Sequence, residues 1–312
     1  MPQIFFKFIL SLIVVVCGAR FFIKTSVSLA RLLRFPEMVI GATIVSLATT
    51  MPESLVSLFA SATNHSSLAF GNIVGSGLVN LGFLLGVILL AGHGQEGRGG
   101  RGKRRSLILF FLTLFVYLWF LVFGRIGLIG GMILIALAFT FLVYTLRYSL
   151  KESSETLRVV ETKLEAHPKV LFKFLLGVFL LILGARFLVE SGVALTQILG
   201  LPELVVGISL VAIGTSLPEL VTALTALASG HEKISLGNLT GATVLTFTLA
   251  LGLAAVISEV KVQASVLRFD LPLLLFFSGL TLAFSHFPRL PQKALGAFLI
   301  IMYLFYLVFV FL

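Results

Sequence analysis

The sequence predicts an all-α polytopic membrane protein, ten transmembrane helices arranged as two inverted five-helix repeats, and three observations predict it. Of 312 residues, 58% are hydrophobic and 12% are charged, about half the charged share of a soluble domain. Apolar stretches close to the ~20-residue spanning length recur ten times. The two halves of the chain also repeat one another at a constant offset.

Composition comes first. A mean hydropathy of +1.12 and 30 Phe residues exceed what one soluble core hides, since a chain of this size buries only about three quarters of its surface. The bilayer must be the solvent for most of the chain, which excludes an ordinary soluble enzyme. The net charge of +10 is carried between the apolar runs, as the loops of a membrane protein require, so it signals topology rather than a nucleic-acid partner. Cys17 lies inside the first apolar run, forms no intrachain disulfide as the only cysteine, and is expected to act as a small apolar filler.

The expected spans are roughly 3–23, 38–61, 70–92, 106–124, 126–147, 170–190, 203–228, 236–258, 265–285 and 292–312. The first lacks a basic leader and a small-residue cleavage site, and is expected to be retained. Spans 38–61 and 203–228 carry Pro and Glu in mid-run, which a lipid-facing helix avoids. The basic loop HGQEGRGGRGKRRS and the segment from Arg147 to Lys173 belong on one side by alternation. That choice puts about 17 of the 23 Lys and Arg residues on the cytoplasmic side and both termini outside the cell membrane, as the positive-inside rule expects. The segment from Tyr148 to Pro168 mixes acids and bases at helical spacing, so a short amphipathic cytoplasmic linker helix is expected over 148–168.

The internal repeat fixes the domain plan. GARF at 18–21 recurs at 184–187, the Pro-Glu pairs at 36–37 and 52–53 recur at 202–203 and 218–219, and the Gly-Asn pair at 71–72 recurs at 237–238, always 166 residues apart. Over 18–86 against 184–252, 24 of 69 positions are identical. Five spans separate a residue from its counterpart. Because five is odd, the second copy enters the membrane from the opposite face, and the site of such a transporter lies where the copies meet. The expected units are 1–147, with its motif at 41–86, and 169–312, with its motif at 207–252.

Chemistry concentrates in the broken spans. The first reads GATIVSLATTMPESLVSLFASA and the second GISLVAIGTSLPELVTALTALA. Proline removes an amide donor and displaces the carbonyl four residues back; the carbonyls freed by Pro52 and Pro218 are those of Ala48 and Gly214. Helical spacing places Thr49 and Thr50 on the face of Glu53, and Thr215 and Ser216 on the face of Glu219. Each break therefore gathers a carboxylate, hydroxyls and backbone carbonyls, the oxygen donors that hard cations such as Ca2+ and Na+ take. A carboxylate at mid-membrane costs about 3 kcal/mol, and this chain places one at equivalent depth in each repeat. Their combined charge of −2 suits one divalent or two or more monovalent cations.

The next spans begin GNIVGSGLVNLGFLLG and GNLTGATVLTFTLALG. Ser76 and Asn80 share a face, as do Ala242 and Thr246. Gly71, Gly75, Gly237 and Gly241 follow the small-xxx-small spacing of closely packed helices. Asn72 and Asn238 suit either interhelical hydrogen bonding or ligation. Arg20 and Arg186, matched between repeats, are expected to snorkel at the interface, and His65 and His231 to lie in loops near the membrane surface.

GTSLPEL, its variant ATTMPES, and the GNIVGS and GNLTGA segments resemble the paired alpha repeats of the sodium/calcium exchanger family of the cation/calcium antiporter superfamily. The resemblance implies a secondary antiporter, not an enzyme, without a resident cofactor, whose partners are Ca2+, Na+ and the bilayer. It also implies alternating access at one midplane site, with the first and sixth spans sliding against the remaining bundle. The family's essential carboxylates fall on Glu53 and Glu219, its hydroxyl positions on Thr49, Thr50, Thr215 and Ser216, and its third-span Ser and amide on Ser76 and Asn80. Departures stand at Ala48 and Gly77, and at Ala242 and Thr246, where a hydroxyl and an acidic or amide ligand are replaced. Two further readings stay open: exchange of Ca2+ for H+, with Glu53 and Glu219 carrying the protons, and an intramembrane metal-dependent enzyme using the same carboxylates. A monomer is the working expectation for the assembly.

Overall fold

The computed structural model describes residues 2–32, 40–91, 100–153, 167–228, 232–287 and 289–312. Among them, nine helices are long and apolar enough to cross a membrane, or ten when the pair Thr43–Thr49 and Met51–Ala62, bent by 41°, is one broken span. We number them α1 (Pro2–Leu32), α2 (Ser46–Thr49 and Met51–Ala62, entered through Ile40–Val45), α3 (Ser66–Leu90), α4 (Gly100–Phe123), α5 (Leu128–Ser153), α6 (His167–Leu199), α7 (Glu203–Val206 to Leu217–Ala228), α8 (Glu232–Leu245 to Leu251–Ile257), α9 (Leu271–His286, entered through Val266–Asp270) and α10 (Gln292–Val310). Odd-numbered spans start on the face that carries the N-terminus, called the N-terminal face below; the opposite one is the linker face.

The expected spans are all present, with one correction of length. Helices α1 and α6 run for 31 and 33 residues, not the 21 or so expected at 3–23 and 170–190. At 1.5 Å per residue they are about 45–50 Å long, beyond the ~30 Å hydrocarbon core, so they exceed what a perpendicular crossing needs. Polar residues such as Lys24, Thr25 and Ser28 of α1 and Ser191, Thr196 and Gln197 of α6 continue them past the expected apolar stretches. The expected linker helix is met only at its ends. Helix α5 extends to Ser153 and α6 begins at His167, while 154–166, like 33–39 and 92–99, lie outside the described residues.

The inverted symmetry is written in the packing. A Cβ at Gly18 would come within 2.8 Å of the Leu181 amide nitrogen, and one at Gly184 within 2.9 Å of that of Val15. The two contacts exchange under the 166-residue offset, so α1 and α6 cross their own counterparts backbone to backbone. Helices α4 and α9 form the second such pair, joined by hydroxyl bonds between Thr113 and Ser278 at 2.8 Å and between Ser106 and Ser285 at 2.6 Å. In lipid, small residues and interhelical hydrogen bonds supply the association that hydrophobicity supplies in water.

Burial sorts the spans into layers. Most of α3 and α8 is enclosed, 83% and 78% of their apolar windows, against 28% for α1 and α6. The larger apolar cluster joins α3 and α8 to α4, α5, α9 and α10; a separate one joins α1 and α6 to Val56, Ala60, Leu68, Val206 and Val211 of the helices between. A two-residue antiparallel ladder, β1 (Arg125–Ile126) with β2 (Val260–Lys261), ties the α4–α5 turn to the α8–α9 turn on the N-terminal face. Gly124 and Gly200, at φ +66° and +64°, end α4 and α6 in the left-handed conformation that glycine adopts without strain.

Candidate ion-binding site

The breaks form where proline predicts them. Thr50 (φ −77°, ψ −6°) and Ser216 (φ −82°, ψ 2°) interrupt α2 and α7 just ahead of Pro52 and Pro218. The sequence did not announce a second irregularity: widened π-helical turns at Ile40–Val45, Val79–Leu84, Gly207–Val211 and Thr246–Ala250. They superimpose under the repeat offset to within one residue. Such turns insert an extra residue, re-aim side chains and mark functional stretches; here they flank both breaks and carry Asn80 and Thr246.

Glu53 and Glu219 are each 1% exposed and lie close enough to interact electrostatically. Glu53 is served by the opposite repeat. The Ser216 hydroxyl donates to Glu53 Oε1 at 3.3 Å, while Thr215 gives its proton to Asn72 and Thr49 to the Ser46 carbonyl at 3.2 Å. The second oxygen of each carboxylate, Oε2, is buried without a hydrogen-bond partner. Two buried carboxylates thus lie near one another, each with an unpartnered oxygen.

Around them the other expected ligands divide. Ser76 stands 3.4 Å from the Thr215 hydroxyl and so joins the group. Asn80 is buried on α3, and its Oδ1 has no hydrogen-bond partner. The Thr50 hydroxyl turns back to the Ser46 carbonyl at 2.7 Å, and that of Thr246 to the Ala242 carbonyl at 3.0 Å; each spends its proton on its own helix while its oxygen lone pairs stay available. Ala48 and Gly214 are buried at the breaks. Among the described residues no three His, Cys, Asp or Glu side chains gather, so a bound cation would depend on two carboxylates supplemented by neutral oxygens.

Asn72 proves to be a positioning residue. Its amide nitrogen donates to the Glu53 backbone carbonyl at 3.2 Å and to the Ser57 hydroxyl at 3.0 Å, and its oxygen accepts from Thr215 at 3.0 Å. All three bonds go to protein, which decides for interhelical hydrogen bonding. Its counterpart Asn238 keeps an unpartnered Oδ1. Asp270 was not anticipated either; it is buried on α9 and accepts from the Tyr306 hydroxyl of α10 at 2.6 Å. Arg186 pairs with Glu190 at 3.0 Å on the exposed surface of α6, remote in character from the buried pocket.

Two buried carboxylates between inverted broken helices fit a secondary transporter of cations, the class of protein in which the chain's relatives fall. The chain belongs to the sodium/calcium exchanger protein family, which matches it over residues 4–147 and again over 169–312. It is 29% identical to the sodium/calcium exchanger MaX1 of Methanosarcina acetivorans over 98% of both chains, and 29% identical to the inner membrane protein YrbG of Escherichia coli over 92% of this chain and 90% of that one. Its fold resembles that of the sodium-calcium exchanger NCX_Mj soaked with 10 mM Na+ and zero Ca2+, at TM-score 0.66, 23% identity and 98% coverage of both chains. The same exchanger soaked with zero Na+ and Ca2+ gives a TM-score of 0.62 over 98% of both.

Proposed function

We propose that this protein exchanges Ca2+ for Na+ across the cell membrane by alternating access, binding both ions at the pocket between Glu53 and Glu219. The observation that carries this reading is the pair of fully buried Oε2 atoms without hydrogen-bond partners. An ionised carboxylate removed from water is costly unless it is paired, and two facing ones call for a cation between them. The hydroxyls of Thr49, Thr215, Ser216 and Ser76, with Thr50, Thr246, the Asn80 amide and the Ala48 and Gly214 carbonyls, supply the neutral oxygens that complete a coordination of six to eight for Ca2+. Positive-inside bias sets the N-terminal face, with both termini, outside the cell. The two repeats, 1–147 and 169–312, act as the halves that exchange roles during the cycle.

Exchange of Ca2+ for H+ is the second reading. It is favoured by one feature: Thr246 brings no charge to the pocket, so the two glutamates are the only carboxylates there among the described residues, and protons on their free oxygens would neutralise them without Na+. Uptake of labelled Ca2+ into proteoliposomes under imposed Na+, K+ or H+ gradients separates the two. Uptake driven by Na+ supports the first reading; uptake driven by H+ alone replaces it with the second. In either case Glu53→Gln and Glu219→Gln are expected to lower exchange by more than about a hundredfold, beyond the usual loss for an outer-layer partner. Undiminished uptake by a folded Glu53→Gln protein would refute the site.

A further inference from the structure

On the N-terminal face the two repeats are joined by a contact that the ion pocket does not use. His65, in the corner between α2 and α3, and Glu203, the first residue of α7, meet with Nδ1 and Oε1 2.7 Å apart, 30% and 29% exposed. They sit directly above the closest approach of the two repeats on this side. Six residues beyond His65, a Cβ at Gly71 would lie 2.6 Å from the Leu204 carbonyl and 3.1 Å from the Gly207 Cα; four beyond Glu203, one at Gly207 would lie 2.6 Å from the Leu68 carbonyl. Backbone therefore touches backbone between this face and the pocket, and Asn72, next to Gly71, holds the main chain of Glu53.

The related crossing of α2 and α8 lies nearer the linker face. Among the described residues, a Cβ at Gly241 would meet only the Ser46 side chain, at 2.9 Å and 3.4 Å, whereas one at its counterpart Gly75 would meet the Ile208 backbone and Ala212. The Arg105 guanidinium covers Gly237. Among the described residues, the approach of α3 to α7 is the one closed by backbone against backbone, and it carries the His–Glu contact. In the sequence the 166-residue offset takes His65 to His231 and Glu203 to Glu37, so both residue types recur in each repeat; those two lie outside the described residues.

We infer that His65 and Glu203 form a latch that holds the N-terminal-face approach to the carboxylates shut and must open in every exchange cycle. Opening that face requires α7 to part from the α2–α3 corner, and the hydrogen bond spans that gap. An imidazole changes charge in the neutral range, and its protonated form makes a charge-assisted bond to a carboxylate, about twice as strong as a neutral one. Among the described residues, the charged groups on the elements packed around His65 include Glu203 itself, Glu259 and Lys261 at β2, Arg125, which binds Glu259 at 3.3 Å, and the Arg186–Glu190 pair of α6, with Glu53 of α2 and Glu219 of α7 buried at the breaks. The surface groups other than Glu203 are engaged with one another and the two buried carboxylates lie at the breaks, which leaves Glu203 as the partner in contact with the imidazole. Ser66, next to His65, is held by Ser258 at 3.1 Å, so the corner itself is anchored.

The latch rests on the exchange reading, and its test is separable from it. Labelled Ca2+ is presented at the N-terminal face of oriented proteoliposomes, and the apparent KM is measured at about pH 5.5 and about pH 7.5, either side of the ordinary imidazole value. In the unaltered protein KM should be higher at the lower pH, where the latch is stronger. His65→Ala and Glu203→Gln should each lower KM about fivefold, the scale of a partly exposed pair, should remove the pH effect, and in combination should do no more than either alone. His65→Gln, which keeps a hydrogen bond without the charge, should retain most of the KM and lose the pH effect. Additive effects, or single variants with unaltered KM and pH profile, overturn the latch while leaving exchange intact; absence of any gradient-driven uptake by the unaltered protein overturns the exchange reading instead. Should a variant fail to insert, hydrogen exchange of the unaltered protein over 63–71 and 203–211, corrected for the base-catalysed intrinsic rate of each amide, decides: lower protection at the higher pH supports the latch, and equal protection at both pH values overturns it.

Discussion

The most consequential residue outside the carboxylate pair is Asn72, because one side chain fastens three elements of the pocket: the Glu53 main chain, Ser57 on the same broken helix and Thr215 of the other repeat. Each bond is buried, so truncation loses three of them at about 0.5–1.5 kcal/mol apiece, while Ser57 keeps the Ala69 carbonyl and Thr215 the Ala212 carbonyl. Asn72→Ala is expected to leave both carboxylates in place yet lower Ca2+ affinity about 10–100-fold, the effect usual for a residue that orients ligands; isothermal titration of detergent-solubilised protein reads it. Affinity equal to that of the unaltered protein would show that Glu53 is positioned by its helix alone. Asn238, with its oxygen unpartnered, is the informative comparison, since Asn238→Ala removes fewer bonds and should cost less.

At the scale of the helix, the crossing of α3 with α7 decides whether the N-terminal face is closed, and glycine decides the crossing. A methyl group at Gly71 would stand 2.6 Å from a carbonyl oxygen and 3.0 Å from the Ile208 nitrogen, neither of which can rotate away. Gly71→Ala should therefore cost on the order of 1–3 kcal/mol by overpacking, seen as a lower melting temperature in detergent. Gly279→Ala is the control: it replaces another membrane-embedded glycine whose nearest neighbour, Phe110, is an ordinary 3.5 Å away, and it should melt close to the unaltered protein. Equal melting of the two variants would mean that the α3–α7 contact is not tight in solution. Helix propensity cannot distinguish these glycines, because both lie in helical backbone; their neighbours, far off in sequence, do.

For the molecule as a whole, the backbone-close crossing of α1 and α6 ties these two helices to each other. Ser11 of α1 and Ser191 of α6 stand with hydroxyls 3.3 Å apart. Replacing both by cysteine in a Cys17→Ala background and oxidising the pair should leave exchange within about twofold of the reduced protein, because a rigid-body motion carries both helices together. Arrest on oxidation, relieved by a reductant, would show that α1 and α6 slide past each other instead. The outcome bears on how inverted halves trade roles, which is a property of the assembled bundle and of no single helix.

Much of this was readable in advance, for a physical reason. Transfer of a segment into lipid is nearly a sum over its own residues, so ten apolar stretches announce ten spans, and a mid-membrane Glu53 matched by Glu219 announces a site. Proline acts on its own helix, so Pro52 and Pro218 locate the breaks. What escaped depends on partners distant along the chain. Thr50 faces Ser46 while its counterpart Ser216 reaches Glu53; the repeats are alike in sequence, and only the asymmetric packing around them chooses. The widened turns, the Tyr306–Asp270 bond and the His65–Glu203 contact likewise arise where helices more than thirty residues apart, or neighbouring turns forced together, settle their geometry. The sequence by itself determined how often this chain crosses the bilayer, that it does so twice over in opposite senses, and which acids it buries. The tertiary structure decided which hydroxyl reaches Glu53 and where the two repeats meet backbone to backbone, because hydrogen bonding is directional and short-ranged whereas partition into lipid is neither.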